Sequence, residues 1–308
     1  MSSEVPQLGA GLGGVQFGSL SGFRGQEGWG RWTLGKVSEA EIRAERPLWV
    51  EGRLKLGLPV PRQTATISLN GETVAQLSNL QRPATYDLRL ALRLKAGNNV
   101  VRLVTDKSNR GPSSVPFAPK DASDIALSVS TFELTAVQPF VEEAAGHLYN
   151  TAKLSTSAAY EAAAGPQVQF FAQLPAQQVL HYRLLSARDR QTFQIRLDGQ
   201  PLLRTTVQER GTLLTGQLPL PSGDRLHTVS IAASGGAPRD DTLRDSVGSL
   251  EQYNGAFPFY IQELRLAPPP GPNWQKPLVG GLALLSVLLL AFWLFGRERR
   301  TAASGQRT

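Results

Sequence analysis

From residue 29 to residue 267 the sequence holds no sustained helical period; short runs of alternating or β-branched apolar residues recur there between turn signals. A chain of that pattern buries apolar surface by stacking sheets, because each strand offers one apolar and one polar face. Residues 85–94 are the clearest case. Leu88, Leu90, Leu92 and Leu94 alternate with Arg89, Ala91 and Arg93, so the leucines are expected in a core and the other three in water. The 30 glycines and 21 prolines, set among only 19% charged residues, suit such a turn-rich β protein. At 308 residues the chain is long enough for two domains. Having no cysteine, it holds no disulfide framework, thiolate metal site or cysteine nucleophile.

The expected strands form two series. The first comprises 47–58, 64–69, 85–94, 99–105 and 125–137; the second comprises 168–174, 179–186, 192–197, 201–208, 212–220, 227–233 and 257–266. The segments TATISLNGETVAQL and TFQIRLDGQPLLRT share a strand, a turn glycine and a returning strand, with Gly71 and Gly199 standing 128 positions apart. Asn70-Gly71 and Asp198-Gly199 are dipeptides of the kind that tight hairpins need, since the turn demands positive φ. Gly97 and Gly223 are 126 apart, and the closing strands align Glu133-Leu134 with Glu263-Leu264 at 130. Three landmarks in one order at near-constant offset point to a duplicated domain.

The end of the chain differs in kind. Residues 277–296 (PLVGGLALLSVLLLAFWLFG) carry no charge, and a helix of that length, at about 1.5 Å per residue, spans the roughly 30 Å of a bilayer's hydrocarbon core. A buried core helix would show a polar face, and this stretch offers only Ser286 and glycines. Arg297, Arg299, Arg300 and Arg307 follow it against Glu298, while only Lys276 lies just before it, so the positive-inside rule puts the 297–308 tail in the cytoplasm and the large N-terminal part outside. The opposite topology, a tail-anchored protein with a cytoplasmic head, runs against those arginines. Membrane anchoring is assigned to Trp274 and Trp293, near the two ends, and to Arg297, Arg299 and Arg300. The proline-rich 268–276 reads as an extended spacer. Residues 1–20 show neither the charged nor the apolar region of a secretory signal.

A strand, Leu-Asn-Gly or Leu-Asp-Gly, a returning strand, then Leu-x-Leu-x-x-Gly-x-Asn-x-Val (residues 92–101) and a closing strand resembles the galactose-binding-like jelly roll of many carbohydrate-binding modules. The resemblance covers 29–137 and again 148–267. In outline, two such modules before a membrane helix are also similar to the periplasmic subunit of bacterial cellulose synthase, whose additional α/β domains have no room here. The expected fold is all-β, with two tandem antiparallel β-sandwich (jelly-roll) domains plus one C-terminal transmembrane α-helix. A flexible leader is expected at 1–28. Residues 138–147 are expected to link the two sandwiches, unless this region opens the second one. The resemblance implies glycan contact, or membership of cell-envelope polysaccharide machinery, and assigns no binding residue.

Sugars present flat apolar faces that stack on indole and phenol rings. Trp29 and Tyr253, in Gly-rich and Asn-containing segments, are the candidate glycan-binding residues, whereas Trp32 and Trp49 read as core. Asp121, Asp124, Asp240, Asp241 and Asp245 sit in polar loops where aspartate forms turns or stays a solvated charge, with Arg239 and Arg244 as local partners. No catalytic residue is assigned to them, and the chain is expected not to be an enzyme. No cofactor is expected, although a structural calcium ion could use Asp240, Asp241 and Asp245. The three histidines, at 147, 181 and 227, lack the close spacing of a metal site. The formal charge of +7 is too diffuse to suggest nucleic acid. Expected partners are the bilayer and either a membrane protein complex or an envelope polysaccharide. The alternative function is a structural subunit of such a complex, without glycan binding.

Overall fold

The structure, a computed structural model, describes residues 12–79, 83–110, 117–140, 148–153, 161–237, 242–245, 248–254 and 257–269. The chain divides into two compact units, Met1–Ala267 and Pro268–Thr308. Both expected sandwiches lie in the first unit. Among the described residues there is no helix, and so none long and apolar enough to cross a membrane. The expected membrane helix at 277–296, with Trp274, Trp293, Arg297, Arg299 and Arg300, lies outside the described residues.

The first half contributes β1 (Val15–Ser21), β2 (Arg31–Leu34), β3 (Val37–Ala44), β4 (Leu48–Leu58), β5 (Thr64–Leu69), β6 (Glu72–Ser78), β7 (Ala84–Leu94), β8 (Gly97–Thr105) and β9 (Ile125–Ala136). The second contributes β10 (Pro139–Phe140), β11 (Thr151–Lys153), β12 (Glu161–Ala163), β13 (Gln167–Leu174), β14 (Gln178–Ser186), β15 (Gln191–Leu197) and β16 (Gln200–Val207). It continues with β17 (Leu213–Leu220), β18 (Gly223–Ser234), β19 (Thr242–Asp245), β20 (Gly248–Asn254) and β21 (Phe259–Ala267).

The halves repeat one topology. One five-stranded sheet runs β1-β3-β8-β5-β6 and the other β10-β13-β18-β15-β16. Each shares a core with its half of a nine-stranded sheet, β17-β14-β21-β12-β11-β7-β4-β9-β2. Within that sheet β7-β4-β9-β2 and β17-β14-β21-β12 are the same order of equivalent strands, and the landmarks read from the sequence fall in register. Glu133 opposes Arg53 as Glu263 opposes Arg183. Both hairpin dipeptides take the expected left-handed conformations, with φ of 51° and 87° at Asn70-Gly71 and 51° and 83° at Asp198-Gly199. Residues expected to be a leader instead supply β1, antiparallel to β3. In the expected linker, β10 makes the one parallel pairing among the described residues, with β13.

The three-residue strands β11 and β12 join the two halves of the long sheet, β11 to β7 and β12 to β21. Leu88, Leu90, Leu92 and Leu94 are buried, as their alternation requires. The opposite face of β7 departs from expectation. Ala91 is buried and Arg89 nearly so, because Tyr149 and Phe171 of the second half pack over that face with Trp49 and Val137. Glu51, only 2% exposed, lies on the same face and neutralises the covered arginine: Arg89 Nε and Nη2 donate to its two oxygens at 3.0 Å each, and Arg53 Nε donates at 3.0 Å. Such a forked pair is the geometry in which a buried arginine keeps its charge. Tyr149 completes the seam. Its hydroxyl accepts the Gln138 N–H at 2.9 Å, and burial raises its pKa above the ordinary tyrosine value.

Candidate functional site

The most exposed aromatic side chain of the first half sits on a small hairpin that leads into β2. Glu27 and Gly30 exchange backbone hydrogen bonds at 2.8 and 3.2 Å, leaving Gly28 and Trp29 at the tip. Gly30 has φ 147°, and a Cβ there would run into the Val129 carbonyl of β9, so only glycine lets the hairpin lie this close to the sheet. Trp29 is 43% exposed. Its Nε1 donates to Glu27 at 2.8 Å, which fixes the indole and commits its one polar atom. Trp32 meets it edge to face at 5.1 Å between ring centroids, and Phe117 backs Trp32 at 5.6 Å. Three rings in contact, with the outermost held by a carboxylate, make a rigid apolar surface at the sheet's edge.

Charged residues tie the neighbouring loops to this platform. Arg24 donates to Asp121 at 2.6 Å and lies 3.7 Å from Glu27, while Arg31 donates to Gln26 at 2.7 Å. The Ser123 amide and the Arg24 guanidinium hold the Asp121 carboxyl below the usual carboxylate range. Asp121 is thus a charged strut for the loop.

The other sequence candidates fall elsewhere. Trp32 and Trp49 are half-buried and lie outside both main cores: Trp32 backs the platform, and Trp49 lies on the seam between halves. Tyr253 lies in β20, and Asp245 ends β19. Asp240 and Asp241 lie outside the described residues, so the calcium reading does too. Sequence reasoning missed Phe117, which sits in no periodic segment. It also missed a depression of about 330 Å³ on the outer face of the long sheet, where Asp87, Glu133 and Glu161 converge with Arg53, Lys55 and Arg89.

No family model and no curated protein matches the chain. Among solved structures it is similar to PNGF-II, at 11% identity and a TM-score of 0.24, over 76% of this chain and 60% of that one. It is similar also to the cycloalternan-forming enzyme from Listeria monocytogenes in complex with pentasaccharide substrate, at 12% identity and a TM-score of 0.25, over 77% and 20%. A third is a Paenibacillus xanthan lyase, at 11% identity and a TM-score of 0.23, over 77% and 23%. The chain therefore spans less than two thirds of each, and TM-scores this low decide neither its topology nor its activity. Two of these three proteins carry enzyme names, which runs against the expectation that the chain is no enzyme. The carboxylates weighed from the sequence lie in loops, whereas Asp87, Glu133 and Glu161 line a common depression from β7, β9 and β12.

Proposed function

We propose that the chain recognises carbohydrate through the Trp29 platform, and that it does so as a membrane-anchored component of cell-envelope polysaccharide machinery. The observation that carries the reading is the exposed indole of Trp29, held by Glu27 and backed by Trp32 and Phe117. An aromatic surface fixed in advance loses little freedom when a sugar stacks on it. The jelly-roll resemblance of both halves supports the same ligand class. The uncharged 277–296 segment and the arginines after it support an anchor with the β-rich part outside the cytoplasm. The bilayer and an envelope polysaccharide are the partners this reading requires.

The test is retention of the full-length protein, in a detergent without a sugar headgroup, on immobilised envelope polysaccharides. Trp29→Ala is expected to weaken retention roughly tenfold, the loss of one central aromatic contact. Equal retention of variant and parent, or no retention of the parent on any envelope polysaccharide, overturns the reading. In sealed membrane vesicles, a protease added outside is expected to digest the β-rich part and spare the 297–308 tail.

A further inference from the structure

A cleft of about 340 Å³ opens where the two halves meet. The β5–β6 turn forms one wall, the outer face of β4 and β7 forms the floor with Trp49 and Arg93, and β13 forms the other wall with Gln169. Its size is at the small end of ligand pockets, enough for one ring with its substituents. Four residues with side-chain amides line it, Asn70, Asn150, Gln167 and Gln169, and the first two are already spent on the architecture. Asn70 Oδ1 accepts the Val100 N–H at 3.0 Å, and its Nδ2 donates to Asn99 at 2.9 Å. Asn150 Oδ1 accepts the Ala91 N–H at 3.0 Å, and its Nδ2 donates to the Gln167 carbonyl at 3.2 Å.

Gln169 is different. It is 7% exposed, and its backbone is locked to Tyr149 by reciprocal hydrogen bonds of 2.8 and 3.1 Å, yet its Oε1 is buried with no hydrogen-bond partner in the protein. A buried acceptor without a donor is costly in a folded protein, and Gln169 lines the cleft, so a donor bound there would relieve that cost. Beside it the Trp49 indole offers an apolar wall, fixed edge to face against Phe171 at 5.3 Å, with the Arg93 guanidinium 5.9 Å from the ring centroid. A buried acceptor, an indole and a solvent-exposed cation that can donate again match the hydroxyls and the apolar face of a single sugar ring.

We propose that this cleft is a second carbohydrate subsite, in which a hydroxyl of one pyranose ring donates to Gln169 Oε1 while the ring lies against Trp49. The proposal rests on the carbohydrate reading above and assigns it a site remote in sequence from Trp29. The test uses the full-length Trp29→Ala protein in a detergent without a sugar headgroup, so that the platform is silent. D-glucose, D-galactose and N-acetyl-D-glucosamine are titrated against tryptophan fluorescence and saturation-transfer NMR. Saturable binding of at least one sugar is expected, weakened about tenfold by Gln169→Leu, which keeps the shape and removes the acceptor. Arg93→Ala, at an exposed position, supplies the second variant should Gln169→Leu not fold, and is expected to weaken binding severalfold. Binding unchanged by both substitutions overturns the subsite. So does the absence of binding by all three sugars in a Trp29→Ala protein whose Trp29 parent is retained on polysaccharide; the platform reading then stands alone. If neither retention nor titration detects sugar, both readings fall together.

Discussion

Strands β4 and β14 occupy the same place in the two halves, and the residues 130 positions apart on them, Glu51 and His181, point to the same outer face of the long sheet. In the first half that face is roofed by Tyr149 and Phe171, and Glu51 is sealed in with Arg89. In the second half His181 is only half-buried. The two halves thus repeat the sheet, and where they meet one face of the first half becomes a second, polar interior. The corners at the hairpins carry a second contrast. Asn70 and Asp198 hold equivalent amides, those of Val100 and Thr228, at 3.0 and 2.9 Å. Behind Asn70 stands Asn99, fully buried, donating to the Lys95 and Gly97 carbonyls and accepting from the Lys95 amide. Behind Asp198 stands His227, with Nδ1 2.8 Å from the carboxylate and Nε2 without a partner. One corner is a neutral amide network; the other is an acid and an imidazole.

The largest effect is expected at the roofed face. Glu51→Ala leaves Arg89 covered without its carboxylate and should cost about 3–5 kcal/mol in denaturant unfolding, whereas His181→Ala should stay within about 0.5 kcal/mol. Equal costs would mean that the roof contributes nothing. Next comes Asn99→Ala, which strands several backbone groups at once and should cost about 1–3 kcal/mol, read as a lowered denaturant midpoint. Gly71→Ala and Gly199→Ala should each cost roughly 1–2 kcal/mol, because the left-handed backbone penalises any Cβ while open space surrounds both positions. A clear inequality between the two glycines would break the equivalence of the hairpins.

The smallest effect is local and depends on pH. Burial works against the charge of Asp198, but the Thr228 amide, His227 and Arg225 hold its carboxyl below the usual range. A lowered folded-state value means that the ionised group's contribution is complete above the ordinary carboxylate pKa, about 3.9, and is lost as pH falls through the lower folded value. Hydrogen-exchange protection of the Thr228 amide should therefore drop on acidification relative to that of Val100. Asp198→Asn should remove the difference, and equal behaviour of the two amides in the parent protein would refute it.

Much of this was legible in the sequence, and the gaps have physical causes. The leucines of β7 and the two turn dipeptides announce themselves because alternation and positive φ are local properties. Strand β3 escaped because its buried positions are Ser38, Ala40, Ile42 and Ala44, mostly small residues that give almost no hydrophobic signal between Glu39, Glu41 and Arg43. Strand β1 hid in a glycine-rich stretch. Trp29 could be found because glycines flank an aromatic residue there. Phe117, Gln169 and the covering of Ala91 could not, since each depends on which distant segment arrives at that face.

The joining of the halves through β11 and β12 also bears on mechanics. Strand β21, whose last residue is Ala267, lies between β14 and β12 with antiparallel partners on both sides. A pull on the chain at Ala267 acts along that strand, so the hydrogen bonds to its neighbours are loaded in shear and yield together rather than unzipping one by one. Tension entering at this point is shared by a sheet that crosses both copies, and the protein bears it as one plate rather than as two beads on a string.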